Sequence, residues 1–131
     1  GYHAVSIDEK RRKFPPNLWM PPEGQQTIVQ VWFAGVHSDV GGWYAEAGLS
    51  NVALHWLAHE ARDKGLLLDR PALDAHAPDP ADRIHDSYTG LWRLLGSRVR
   101  ALPPAAAIHP SVFERMRERP DYRPPNVPFA P

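Results

Sequence analysis

The sequence predicts an α/β domain in which a strand buried on both faces is followed by a helix that packs against it. Three observations carry this reading. Thr27-Ile28-Val29-Gln30-Val31-Trp32-Phe33-Ala34 is short, β-branched and aromatic, and apolar on both faces, which suits a central strand of a parallel sheet. It runs into a glycine-bearing loop, Gly35 to Gly42, at the strand end where open α/β sheets collect their functional groups. Beyond the loop, Leu49, Val52, Ala53, Trp56 and Leu57 recur at helical spacing, the apolar stripe of a helix lying on a sheet.

The elements follow in chain order. Gly1 to Met20 opens with a short apolar-alternating stretch and continues into the charged run Asp8-Glu9-Lys10-Arg11-Arg12-Lys13, read as a solvated helix end. Pro15 and Pro16 stop any helix there, because each lacks an N–H and restrains the residue before it. Pro21, Pro22 and Gly24 make a second break before the strand. Ser50-Asn51 can cap a helix over about 51–64, which Gly65 terminates; Glu60 falls on its apolar stripe, so it finds a partner or the helix leaves the core there. Asp69 to Asp82 reads as a Pro/Asp/Ala loop, 86–95 as a weak helix, and Ser111 to Arg119 as a short basic helix behind Pro110. The tail over 120–131 holds five prolines and little to bury.

Composition narrows the function classes. The 131 residues carry 15 Lys+Arg against 15 Asp+Glu, so no overall positive field attracts nucleic acid. Cysteine is absent, which removes disulfides, thiolate zinc sites and cysteine nucleophiles. No apolar run approaches the ~18 residues that span a bilayer. Fifteen prolines are about twice the average share, while five tryptophans argue for a packed core with long irregular connections. Gly1 is followed by mixed polar sequence rather than a charged start and an apolar leader, so no signal peptide is expected, and the absence of an initiator Met suggests a chain cut from something longer.

The loop Gly35-Val36-His37-Ser38-Asp39-Val40-Gly41-Gly42 is the first candidate for chemistry. A histidine at the end of a central strand, backed by glycines that let substrate approach, is placed as a general base would be. The competing reading is a tight turn in which Ser38 and Asp39 bond their own backbone. No Gly-x-Ser-x-Gly elbow occurs around Ser38 or any other serine, so the chain does not supply a complete serine triad. His55 and His59 stand one helical turn apart, but Trp56 occupies the position where the zinc-protease motif needs Glu, and no third ligand is in view. They read as helix-flank histidines, and no metal or cofactor is expected. His85 and His109 read as loop anchors that could also join a site. Trp32, Trp43, Trp56 and Trp92 read as core or pocket wall, not as a stacking platform.

Four segments, YHAVSIDEKRRKF, VWFAGVHSDVGGWY, LSNVALHWLAHEARDKGL and IHPSVFERM, together resemble an uncharacterised α/β-hydrolase family that includes the phospholipase effectors of type VI secretion systems. The resemblance runs in order from about Tyr2 to Pro128 and implies a single partial domain over 1–131. That domain is the C-terminal portion of an α/β-hydrolase-like fold: last core strand, histidine loop, packed helices and Pro-rich tail. It implies ester hydrolysis by acyl transfer, with His37 as the base, His109 as the alternative, and Asp39, Ser38, Gly41 and Gly42 in support. The nucleophilic Ser and the orienting Asp fall upstream of Gly1, so the chain alone is expected to be inactive. Trp43 stands where the family repeats Gly, which implies a narrowed mouth. The expected partners are the N-terminal half of the same domain, an ester or phospholipid substrate and a membrane surface. Without that half, the edge of Thr27 to Ala34 would lie open. An adaptor module that keeps the fold without the chemistry is the alternative, and localisation stays open between the cytoplasm and export.

Overall fold

The computed structural model describes residues 1–127. Its sheet has three parallel strands, β1 (Tyr2–Ser6), β2 (Val29–Phe33) and β3 (Ala107–Ile108), side by side in that order. Tyr2 to Ser6 lie opposite Val29 to Phe33, and Val31 and Trp32 lie opposite Ala107 and Ile108. Parallel pairing leaves no tight hairpin to join neighbours, so each connection is long and crosses a face.

Strand alternation sends successive β2 side chains to opposite faces. Val31 and Phe33 pack with Val40, Val52 and Ala53, beneath α1 (His37–Gly41) and α2 (Gly48–Arg62). Trp32 and Ala34 pack with Val5, Ile7, Val112 and Val127, beneath α4 (Pro110–Glu118) and the chain that follows it. Helices therefore cover both sides of the sheet, which is why β2 is apolar throughout.

Several expectations change. β2 is not the last strand, because β3 follows it and takes its far edge; two residues between Pro103-Pro104 and Pro110 are too few for a periodic signal. Nor is the edge of β2 open. The outer edges belong to β3 and to β1, and on β1 Arg100 donates to the Ser6 carbonyl at 2.8 Å. The outward backbone groups of Tyr2 and Ala4 have no partner among the described residues.

The predicted loop after β2 closes into the short helix α1, and 86–95 narrows to a six-residue 3-10 helix over Gly90–Leu95. The stretch read as loop after Asp69 holds a further short helix, α3 (Arg70–Asp74), which Asp69 caps through Ala72 N–H. α2 starts at Gly48, ahead of the expected Ser50-Asn51 cap. Its first turn is held instead by a distant carboxylate, with Gly48 N–H donating to Asp82 Oδ2 at 2.8 Å. Leu49, Val52 and Ala53 are buried and Leu57 is exposed, so α2 leaves the core before Glu60.

The tail buries more than its prolines suggest. Val127 is only 2% exposed, and Tyr122 packs on the same face of the sheet. Residues 128–131 of the predicted Pro-rich tail lie outside the described residues.

Gly35 turns the chain from β2 into α1 at φ +111°, and a Cβ there would lie 2.5 Å from Asp39 Cβ. Gly35→Ala is expected to destabilise the fold by at least the ~1–3 kcal/mol of a forced left-handed backbone. A lowered urea midpoint at unchanged slope would record it.

Candidate active site

β1 and β2 end side by side, and their carboxyl ends carry the polar residues. Asp8 follows β1 and Gly35 follows β2. Asp8 N–H donates to the Gly35 carbonyl at 3.0 Å, and Gly35 N–H returns a bond to Asp8 Oδ2 at 2.7 Å. Tyr122 O–H reaches the same carboxylate oxygen at 2.8 Å across 114 residues of chain. Burial raises the Asp8 carboxyl above its ordinary value, and the bonds from Gly35 and Tyr122 only partly offset it.

Glu9 is buried beside it and gathers three neighbours. Arg11 donates to both carboxylate oxygens, from Nε at 2.9 Å and from a terminal nitrogen at 2.8 Å. Ser87 Oγ donates at 2.8 Å, and the His37 backbone N–H donates at 3.3 Å. Burial pushes the Glu9 carboxyl up, but the Arg11 bonds and those from Ser87 and His37 outweigh it and bring it from an ordinary 4.5 down to about 2. Its stabilisation is therefore fully present above about pH 4.5 and is lost as pH falls towards 2. Urea-unfolding free energy is expected to decline over that window, with the decline flattened in Glu9→Gln. Asp8, with a raised value, works in the opposite direction.

Asp39, also buried, is the third carboxylate. Its Oδ2 accepts from Val36 N–H at 2.9 Å, closing the start of α1, and from His85 N–H at 3.2 Å. Its Oδ1 lies 2.6 Å from His85 Nδ1. The His85 ring stacks on Tyr44 at 3.6 Å, and its Nε2 faces Glu46 at 3.3 Å. Both ring nitrogens thus meet carboxylates, so His85 acts as a clasp between α1 and the loop after Asp82 and not as a free base.

His37 stands on this framework with its ring exposed. Phe14 packs edge-on against the imidazole at 4.9 Å, and the ring nitrogens make no hydrogen bond among the described residues. Partial burial lowers the imidazole below its ordinary value, opposed by Glu9 and reinforced by the Arg100 and Arg11 guanidiniums. At neutral pH the ring is predominantly neutral and able to accept a proton.

His109 ends β3 and differs in one respect. Its Nδ1 faces Ser111 Oγ at 2.8 Å and accepts from Ser111 N–H at 3.3 Å, capping α4, and the ring stacks on Phe33 at 4.6 Å. An accepting Nδ1 puts the proton of the neutral ring on Nε2, the opposite tautomer from that of a triad base.

The other sequence candidates divide. Asp39 bonds its own loop backbone as read, whereas the Ser38 hydroxyl has no partner among the described residues. Gly41 and Gly42 are exposed and line a groove with Tyr2, His3 and Leu54, away from the Asp8 and Glu9 carboxylates. Trp43 is 90% exposed and covers nothing, so it does not narrow a mouth. Of the four tryptophans read as core or wall, Trp32 is core while Trp56 and Trp92 are half-buried. An open cavity of about 800 Å³ lies beside the strand ends; Asp8, Glu9, Val36, His85 and Arg100 line it, and His37 does not. No cluster of three or more His, Asp or Glu fit to hold a metal occurs among the described residues.

Asp8 and Glu9 were missed as site residues. The charged run suggested solvent, yet both follow the end of a strand, and that position is the signal that could have found them. Arg11, Phe14, Ser87 and Tyr122 carried no local signal.

No curated protein and no solved structure matches the chain. Residues 1–60, just under half of the sequence, hold β1, β2, α1 and most of α2 and include Asp8, Glu9, His37 and Asp39. That stretch matches the family described as T6SS, Phospholipase effector Tle1-like, catalytic domain.

Proposed function

We propose that the chain contributes the histidine-bearing half of a phospholipid-cleaving serine hydrolase, as the C-terminal portion of an α/β-hydrolase-like domain. The observation that carries this reading is the open, unbonded imidazole of His37 at the carboxyl end of the central parallel strand, on a loop fixed from below by Asp8, Glu9 and Asp39. Similarity of residues 1–60 to a phospholipase effector catalytic domain supports the substrate class.

In this reading a serine outside the chain attacks the ester carbonyl. His37 takes the serine proton and returns it to the leaving alcohol, and a carboxylate outside the chain holds the imidazole tautomer. Asp39 supports the loop and does not touch the reacting atoms. The His109 tautomer argues for His37 as the base. The open edge of β1 suits pairing with a further strand of the N-terminal half, the partner that completes the site.

Fluorophosphonate labelling tests the assignment. The full-length protein should label on a serine outside residues 1–131, and the chain alone should not. Labelling of a serine within this chain would overturn the division of the triad. No labelling of the full-length protein would leave an adaptor without chemistry as the better account.

A further inference from the structure

A second surface lies next to the His37 ring. The segments 10–14 and 90–99 run side by side, with Arg12 N–H donating to the Gly96 carbonyl at 3.1 Å and Arg98 N–H to the Lys10 carbonyl at 2.8 Å. Within the second segment the 3-10 helix turns its leucines outward, with Leu91 75% and Leu94 80% exposed and Leu95 and Val99 also open. Four of the nine consecutive side chains from 91 to 99 would ordinarily not be offered to water in this way, since contiguous exposed apolar groups mark contact surfaces.

Charge indicates the kind of contact. Arg12, Lys13, Arg93 and Arg98 are exposed around the leucines, and none of the four takes part in an ion pair among the described residues. The nearby acids are already engaged, Glu9 with Arg11 and Asp86 with Lys10. The patch is thus apolar at its centre and positive at its rim. It is also continuous with the candidate base. Phe14 touches His37 at 4.9 Å and Trp92 at 6.3 Å, and the Arg11 guanidinium lies over both aromatic rings.

We propose that this patch docks the protein on an anionic bilayer, with the leucines of the 3-10 helix entering the interface and the four basic residues meeting lipid phosphates. The proposal deepens the phospholipase reading, on which it rests for the choice of lipid as the partner. Apolar side chains that enter the interface and cations that meet anionic headgroups add in this geometry. A bilayer accounts for the positive rim and for the proximity to His37 together, which a purely apolar protein contact would not require.

The test is sedimentation of the full-length protein with vesicles of phosphatidylcholine alone or with about 30% phosphatidylglycerol added to supply a negative surface. Binding is scored in the His37→Ala background so that hydrolysis does not consume the vesicles. Wild-type surface residues should bind the anionic vesicles and release them as salt rises. Leu91→Asp/Leu94→Asp should lower the partition coefficient by about tenfold or more, since burying even one leucine is worth that much. With His37 intact, the same double variant should hydrolyse a soluble short-chain ester at the unchanged rate.

Equal binding of the double variant, or equal binding to both vesicle types, would overturn the proposal. A changed oligomeric state in the double variant with vesicle binding intact would assign the patch to a protein neighbour and overturn it too. Vesicle binding that follows the expected pattern in a protein with no hydrolytic activity would instead sink the hydrolase reading and leave the surface standing.

Discussion

His37→Ala in the full-length protein is expected to lower the rate of phospholipid ester hydrolysis by about 10²–10⁴, the usual share of a positioned general base. The argument is geometric. Of the histidines at strand ends, His37 has an exposed ring with no bonded nitrogen among the described residues, while the Nδ1 of His109 is committed to the first turn of α4. His109→Ala should therefore leave the chemical step nearly intact and show itself as a loss of the α4 cap, about 1 kcal/mol in stability. His37→Ala should do the reverse, because exposed side chains away from special backbone or packing features usually change stability by no more than about 0.5 kcal/mol. Initial-rate assays on mixed micelles, run beside urea unfolding for both variants, separate the two. A full loss of turnover in His109→Ala with a mild effect in His37→Ala would transfer the role of base to β3.

Asp39→Ala is expected to be the most damaging single change to the fold, at about 3–5 kcal/mol, since each buried donor left without its acceptor costs about 1–3 kcal/mol. Its carboxylate, itself buried, accepts from Val36 N–H, His85 N–H and the His85 ring. Truncation strands two backbone donors and leaves the His85 ring beside Glu46 alone. A domain of ordinary stability, about 5–15 kcal/mol, would lose roughly a fifth of its margin at the least. Asp39→Asn keeps the volume and one accepting oxygen, so it should recover part of the loss. Chemical denaturation of the three proteins measures the ranking. Should Asp39→Ala unfold at the same urea concentration as wild type, the clasp between α1 and the loop after Asp82 contributes nothing.

The centre of this architecture was readable and its periphery was not. β2 announces itself because a strand covered on both faces must be apolar at consecutive positions, and the stripe from Leu49 to Ala53 follows from packing on it. His37 could be placed at the strand end for the same reason. β3 left no trace because two residues have no period, and its pairing is dictated by β2 rather than by Ala107 and Ile108 themselves. Asp8 and Glu9 look like surface charge until Tyr122, Ser87 and Arg11 are brought to them, and those partners sit up to 114 positions away. The His85 clasp was hidden likewise, since no rule of spacing links it to Asp39 across 46 residues. Trp43 failed the other way: a large aromatic in a glycine loop suggests packing, but the loop turns it into solvent.

The bond between Tyr122 and Asp8 joins the two ends of the described chain, and it has a kinetic consequence. β1 and β2 can pair once about thirty residues exist, but Trp32 keeps one face bare until Val112 and Val127 arrive. Contacts so distant in sequence close late and slow folding. During synthesis the ribosome must therefore release almost the whole segment before the histidine loop is braced from beneath, and until then that loop belongs to a half-built sheet with an exposed tryptophan. Competence to take a proton would be among the last properties the nascent protein acquires.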